Sequence, residues 1–173
     1  MANKHNNLSV ILIGAMVLII ASMLFYSNTL SNNSKPEKKM NEDYKISKSD
    51  SAWKSELSDE QYRVLRQAGT ERAYSGEYNL HFEQGEYKCA GCGSLLFDSD
   101  SKFESHCGWP SFSDADSNKI IKKIDRSHGM IRTEVLCSNC GGHLGHLFDD
   151  GPTPSGLRYC INSASITFSK DSL

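Results

Sequence analysis

The chain has 173 residues, six of them cysteine, and a formal net charge of -2 at pH 7. This length accommodates one ordinary domain of roughly 100–200 residues with a short appendage. So small a net charge gives no basic field that would draw the chain onto nucleic acid by releasing counterions, and we therefore expect no nucleic-acid partner.

The first element in chain order is an uncharged apolar run. Residues 8–26 read LSVILIGAMVLIIASMLFY, a length close to the roughly 20 residues that cross the hydrocarbon core of a bilayer. We predict a single-pass membrane anchor after a tail of residues 1–7, with the following domain on the extracytoplasmic side, because N-terminal spans with short tails commonly act as export signals. A cleaved signal peptide is the alternative, although its apolar stretch is usually roughly 7–15 residues long.

Residues 27–52 are predicted to form a flexible linker. They are rich in Ser, Asn and Lys and contain few large apolar side chains, so they cannot bury enough surface to offset the entropy lost on ordering. The remaining residues, 53–173, are assigned to one folded domain.

A short helix is predicted to begin at Ser58. Ser58 and Gln61 have the S-x-x-Q spacing of a capping box, in which each side chain binds the backbone N–H of the other residue. Tyr62 and Leu65 follow at helical spacing, and Gly69 is the predicted stop.

Beyond this helix the sequence predicts a small, mainly β domain with antiparallel strands. Five short segments are rich in β-branched and aromatic residues and are separated by Gly, Pro, Asp and Ser. They are Gly85–Cys89, Ile120–Ile124, Ile131–Leu136, Leu157–Asn162 and Ala164–Phe168.

Four of the six cysteines form two C-x-x-C pairs. Cys89 and Cys92 belong to CAGC, and Cys137 and Cys140 belong to CSNC, with 44 residues between the two pairs. Because a C-x-x-C turn can point both sulfurs at one centre, and because four thiolates suit a closed tetrahedral site, we predict one structural zinc ion. Disulfides and a thioredoxin-like redox pair at CAGC are the alternatives.

The other two cysteines, Cys107 and Cys160, have no metal-binding partner nearby in the sequence. A leftover cysteine is most often a small buried apolar residue. However, Arg158 precedes Cys160 by two residues, and His143 and His146 lie about 15 residues upstream. Cationic and imidazole groups of this kind lower the pKa of a thiol, so the sequence favours a redox site.

Trp109 lies in a Gly-Trp-Pro turn. An aromatic side chain on a turn is better placed to line a pocket than one in a strand, although a core position is the alternative.

These motifs together resemble the methionine sulfoxide reductase B family over about residues 55–170. They are GTERAYSGEY, CAGC, CGWPSF, DRSHGMIRTEVLC, CSNC, CGGHLGHLFDDGP and RYCINSAS, in the family's order. The resemblance implies two small antiparallel sheets with a short N-terminal helix and a structural zinc. It also implies reduction of the R epimer of methionine sulfoxide, protein-bound or free, and recycling by thioredoxin or a similar reductant.

The resemblance also implies roles for individual residues. Cys160 matches the nucleophile, which becomes a sulfenic acid, and Cys107 matches the resolving cysteine, which forms a disulfide with it. His143 or His146 would supply a proton, helped by a water or by an acidic side chain that the sequence does not identify. The substrate-binding residues are Trp109, Phe112, Arg158 and Asn162.

Two other classes of function remain as alternatives. A binding module built on the zinc knuckles would have no catalytic activity, but it leaves Cys107 and Cys160 unexplained. A general thiol-disulfide oxidoreductase would reduce protein disulfides without acting on a sulfoxide. We expect the catalytic domain, residues 53–173, to be monomeric and to be held at the membrane by the N-terminal helix.

Overall fold

The computed structural model describes residues 44–170. Within this range the chain forms two α-helices, nine β-strands and three single turns of 3-10 helix. The helices are α1 (Asp50–Glu56) and α2 (Asp59–Gln67). The strands are β1 (Gly85–Cys89), β2 (Leu95–Asp98), β3 (Lys102–Phe103), β4 (Ser111–Phe112), β5 (Ile120–Asp125), β6 (Arg132–Cys137), β7 (His143–Phe148), β8 (Arg158–Ile161) and β9 (Ile166–Lys170).

The predicted helix is α2, and its capping box is confirmed. The Gln61 N–H donates to Ser58 Oγ at 3.2 Å, and the Ser58 N–H donates to Gln61 Oε1 at 3.1 Å. The helix ends one residue earlier than predicted, because Ala68 rather than Gly69 takes the left-handed conformation, with φ 53°. The other helix, α1, begins at Asp50, inside the segment 27–52 that the sequence assigned to a linker.

The strands form two antiparallel sheets, as predicted. The smaller sheet has the order β2-β1-β9, and the larger has the order β3-β4-β8-β7-β6-β5. The five predicted segments coincide with β1, β5, β6, β8 and β9, shifted by up to two residues at their ends. The sequence did not predict β2, β3, β4 or the central strand β7.

Aromatic side chains from both sheets form the core. Phe112 of β4 stacks on Phe97 of β2 with ring centroids 4.4 Å apart, and Tyr87 of β1 meets Phe112 edge-on at 5.1 Å. Because successive residues of a strand face opposite sides, burying Phe112 and Tyr159 turns their neighbours Ser111 and Cys160 to the other face of the large sheet. That face carries the candidate site.

The predicted membrane localisation is corrected. In the part of the chain that the structure describes, no helix is long and apolar enough to cross a membrane. The two α-helices have 7 and 9 residues, less than half of the roughly 20 that a bilayer requires. The predicted anchor, residues 8–26, lies outside the described residues. The described residues therefore do not support the predicted membrane association or the extracytoplasmic placement of the domain.

Candidate active site and metal centre

The four C-x-x-C cysteines lie together. Cys89 ends β1 and Cys137 ends β6, and Cys92 and Cys140 follow in the turns after those strands. Their four Sγ atoms all lie within 4.8 Å of one another. The distance between the sulfurs is 3.7 Å for Cys89 and Cys140 and 3.6 Å for Cys92 and Cys137. The cluster is therefore arranged as a metal-binding site.

The geometry of the cluster fits one tetrahedral ion. Metal–sulfur bonds of about 2.3 Å give sulfur–sulfur edges of about 3.8 Å, close to the two distances above. Both knuckles close in the same way: the N–H of Gly93 donates to the Cys89 carbonyl, and the N–H of Gly141 donates to the Cys137 carbonyl. Each glycine has a positive φ, 73° and 68°, a conformation that costs glycine least.

The two remaining cysteines also meet. Cys107 lies in the loop between β3 and β4, and Cys160 lies on β8, with their Sγ atoms 3.7 Å apart. The hydroxyl of Ser105 donates to Cys107 Sγ at 3.0 Å, and Ser111 Oγ lies 3.6 Å from the same sulfur. The structure therefore brings together two thiols that are 53 positions apart in the sequence.

Cys160 occupies the middle of a row of side chains that crosses the large sheet. Its direct cross-strand partners are Ser111 on β4 and His146 on β7, and His146 is in turn opposite Glu134 on β6. Direct partners in antiparallel strands project from the same face with their Cβ atoms roughly 5 Å apart. A thiol, an imidazole and a carboxylate thus lie side by side.

Both histidines are held by carboxylates. Nδ1 of His143 lies 2.8 Å from Glu134 Oε1, and Nε2 of His146 lies 2.9 Å from Asp125 Oδ2. An irregularity in the β6–β7 pairing inserts one extra residue into β7, which lets residues three positions apart share a face. The two imidazole centroids are 5.4 Å apart.

The pKa values of both Asp125 and His146 are lower than usual. Hydrogen bonds from the side chain and backbone of Ser127, together with one from His146, hold the pKa of Asp125 well below its usual range. Burial lowers the pKa of His146, and the contact with Asp125 only partly opposes this. Near neutral pH Asp125 is therefore ionised and His146 is neutral, with its proton on Nε2 and its Nδ1 able to accept.

The two thiols of the pair, Cys107 and Cys160, differ in pKa. The hydrogen bond with Cys160, followed by those from Ser105 and Ser111, lowers the pKa of Cys107 to about 4. The neighbouring Cys107 sulfur and burial raise the pKa of Cys160, whereas Arg158 acts in the opposite direction. In this arrangement the first negative charge of the pair lies on Cys107.

Arg158 lies two residues before Cys160 and is fixed by an acidic partner. Its Nε and Nη2 atoms donate to the two oxygens of Asp150 at 2.7 and 2.9 Å. The guanidinium also lies over the ring of Phe148, 4.5 Å from its centroid. This cation therefore sits next to the thiol pair with its orientation fixed.

The other three predicted substrate-binding residues have different surroundings. Trp109 is partly exposed, and its Nε1–H donates to the carbonyl of Glu71 at 3.2 Å. Asn162 is buried, with its amide bound to backbone groups of Glu71 and Leu144. Phe112 is fully buried in the core, so the structure does not bring it to the face that carries Cys160.

Several residues of the site were not identified from the sequence. Asp125 and Glu134, the carboxylates that hold the histidines, belong to the quoted motif DRSHGMIRTEVLC, and Glu71 belongs to GTERAYSGEY. The motifs drew attention to these segments, but only the folded structure shows which groups each carboxylate meets.

Comparisons with known proteins agree with this arrangement. Residues 57–170 match the SelR domain family. The peptide methionine sulfoxide reductase MsrB of Leptospira interrogans is 57% identical over 129 residues, covering 74% of this chain and 98% of that protein. The enzymes of the same name from Thiobacillus denitrificans and Methanosarcina mazei are 58% and 56% identical, covering 70% and 73% of this chain and 92% and 91% of their own.

Among solved structures, the "Yippee-like" domain of Mis18 aligns with 53% of this chain and with 100% of its own length. Its TM-score is 0.44 and its sequence identity 18%, a likeness too weak to say anything about function. The family match and the curated relatives are decisive: the chain belongs to the SelR-domain family of peptide methionine sulfoxide reductases, MsrB.

Proposed function

We propose that this enzyme reduces the R epimer of methionine sulfoxide, in proteins and as the free amino acid, with Cys160 as the nucleophile. The observation that carries the proposal is the contact of Cys107 and Cys160 at 3.7 Å on a sheet face that also presents two histidines held by carboxylates. Reduction of a sulfoxide needs a nucleophilic thiol and a group that protonates the leaving oxygen, and a second thiol beside the first can complete the cycle by forming a disulfide.

In the first step the Cys160 sulfur attacks the sulfoxide sulfur. Neutral His146, the direct cross-strand partner of Cys160, accepts the thiol proton and returns it to the sulfoxide oxygen. The bond formed between Cys160 and the substrate sulfur then breaks as the protonated oxygen passes to the Cys160 sulfur. The substrate sulfur gains two electrons and leaves as methionine, while Cys160 loses two electrons and becomes a sulfenic acid. His143, 5.4 Å from His146 between ring centroids, is the second candidate for the proton donor.

In the second step Cys107 attacks the sulfenic acid. A Cys107–Cys160 disulfide forms and the oxygen leaves as water. The low pKa of Cys107, about 4, supports this role because the resolving group reacts as a thiolate. An external dithiol of the thioredoxin kind then reduces the disulfide and becomes oxidised itself.

The substrate would lie beside Cys160, against the indole of Trp109, which the β3–β4 loop carries two residues after Cys107. The partly exposed indole offers an apolar face for the methyl group of the sulfoxide, and Arg158 next to Cys160 favours a negative charge on the attacking sulfur. Asn162 contributes by holding the chain just after Cys160 through its bond to the Leu144 carbonyl.

We propose that Cys89, Cys92, Cys137 and Cys140 hold one zinc ion. The donor set and the spacing of the sulfurs support zinc, which would have a structural role with all four positions filled by protein. No step of the reaction depends on it.

The test is turnover of the separated R and S epimers by the full chain with dithiothreitol and with thioredoxin. We expect only the R epimer to be reduced, Cys160→Ser to be inactive, and Cys107→Ser to work with dithiothreitol but not with thioredoxin. A folded protein that reduces neither epimer contradicts the proposal; reduction of protein disulfides alone would favour a general oxidoreductase, and neither activity would favour a binding module.

A further inference from the structure

We propose that Glu71 is a positioning residue that sets the place of Trp109 relative to Cys160. The mechanism above gives this side chain no role, although it is only 5% exposed and a glutamate is rarely buried so deeply without specific partners. The inference rests on the proposed function, because it assigns Trp109 to the substrate pocket.

The carboxylate of Glu71 binds the chain that leaves the catalytic strand. Its two oxygens accept the N–H groups of Ser163 and Ala164 at 2.7 and 2.8 Å. The N–H of Glu71 donates to the side-chain oxygen of Asn162 at 3.0 Å. Residues 162–164 directly follow β8, so three hydrogen bonds tie Glu71 to the segment that begins two residues after Cys160.

The carbonyl of the same residue binds the substrate loop. It accepts the Nε1–H of Trp109 at 3.2 Å, so the indole is linked to the end of β8 through one residue. The backbone next to Trp109 is tied to β8 directly, because the Pro110 carbonyl accepts the Ile161 N–H at 2.9 Å. What Glu71 sets through its own carbonyl is therefore the orientation of the indole beside Cys160.

A third segment closes over this contact. A Cβ atom at Gly76 would lie 2.3 Å from Ser163 Oγ and 2.6 Å from Glu71 Oε1, so only glycine permits so close an approach. The N–H of Tyr78 donates to Ser163 Oγ at 3.1 Å. Glu71 is thus enclosed by a packed loop, which favours a fixed geometry over a solvated surface contact.

The test compares Glu71→Gln with Glu77→Gln. Glu77 is the matched control because its exposed side chain lines the same 430 Å³ cavity as Glu71. Glutamine keeps the size of the side chain but turns an NH₂ group towards a backbone N–H donor. We expect KM for the R sulfoxide to rise about tenfold in Glu71→Gln with kcat changed less than about threefold, because the apolar wall moves while the thiols stay. The control should change KM by less than about twofold. An unchanged KM, or a loss of kcat alone, overturns the inference.

Trp109→Phe provides the second test, since it keeps an aromatic ring but cannot donate to the Glu71 carbonyl. In a double-mutant cycle, Glu71→Gln should add less than about twofold to the KM of Trp109→Phe. If the effects of the two substitutions on KM are fully additive, the inference is overturned. An unchanged KM in Trp109→Phe also overturns it, and this variant can be measured even if Glu71→Gln does not fold. If the native enzyme reduces no sulfoxide, the proposed function itself fails. Failure of the proposed function is thus distinguishable from failure of the inference about Glu71.

Discussion

His146 on β7 and Cys160 on β8 are direct cross-strand partners. Since Nε2 of His146 is bound to Asp125, its other nitrogen is the one available to accept a proton. Because His146 must be neutral to accept the proton of Cys160, we expect the pKa of His146, as well as that of the cysteine, to determine how activity depends on pH.

Replacing Asp125 with Asn should therefore move the acid limb of the activity profile to lower pH. The contact with Asp125 raises the pKa of His146, so its loss lowers that pKa further. Activity requires neutral His146 and is lost as pH falls through its pKa, which means that the variant keeps the neutral form to lower pH. We also expect kcat to fall about tenfold, since a weaker base accepts the thiol proton less readily. Measuring kcat from pH 4 to 9 tests both effects. Asp100→Asn, at an exposed position, is the control and should leave the profile unchanged.

The difference in pKa between Cys107 and Cys160 can be tested by measuring how fast each thiol is alkylated. At pH 6 we expect iodoacetamide to label Cys107 before Cys160, because Cys107 has a pKa of about 4 and the pKa of Cys160 is raised. In Cys107→Ser the largest cause of that rise is absent, so Cys160 should react at lower pH than in the native enzyme. Mass spectrometry of the labelled peptides gives the two rates. Labelling of Cys160 that is independent of Cys107 would contradict the assignment.

Features encoded in short stretches of sequence were predicted successfully. The capping box at Ser58 and Gln61 depends on groups three residues apart, and the C-x-x-C pairs indicated a metal-binding cluster because each turn brings its own two sulfurs together. Gly85–Cys89 was correctly predicted as β1 for the same reason, because the alternating burial of a strand depends only on neighbouring residues.

Features that depend on strand pairing were not predictable. Strand β7 was missed because His143–Phe148 contains a glycine and a bulge, so its residues do not alternate regularly. Asp125 was not recognised as the partner of His146 because they meet only through the register of three neighbouring strands. Phe112 was placed in the pocket, although alternation along β4 turns it into the core once Ser111 faces Cys160.

The metal cluster should be separable from the catalytic thiols. Cys137→Ser removes one of the four ligands, itself fully buried. Because metal binding contributes directly to folding, we expect loss of zinc and of cooperative thermal unfolding. Cys160→Ser should keep about one zinc per chain, since its sulfur contacts Cys107 instead of the cluster. Metal analysis and thermal unfolding of both variants check this. Loss of zinc from Cys160→Ser would show that the two sites are not independent.

The segment before the family match should contribute to the stability of the metal knuckles. Trp53 of α1 is completely buried, and the Arg66 guanidinium lies over its ring while donating to the Cys140 carbonyl at 3.0 Å. Trp53→Ala should lower the free energy of unfolding by about 3–5 kcal/mol, the usual cost of removing a buried aromatic side chain. It should also speed the release of zinc to a chelator, because the knuckle at Gly91 packs against the same ring.

Gln67→Ala is the matched control for Trp53→Ala, because Gln67 is exposed on α2 and a surface substitution there should change the free energy of unfolding by less than about 0.5 kcal/mol. Urea unfolding gives the stabilities, and a colorimetric chelator gives the rate of zinc release. If Trp53→Ala is destabilised but releases zinc at the native rate, helix α1 supports the fold without protecting the metal centre.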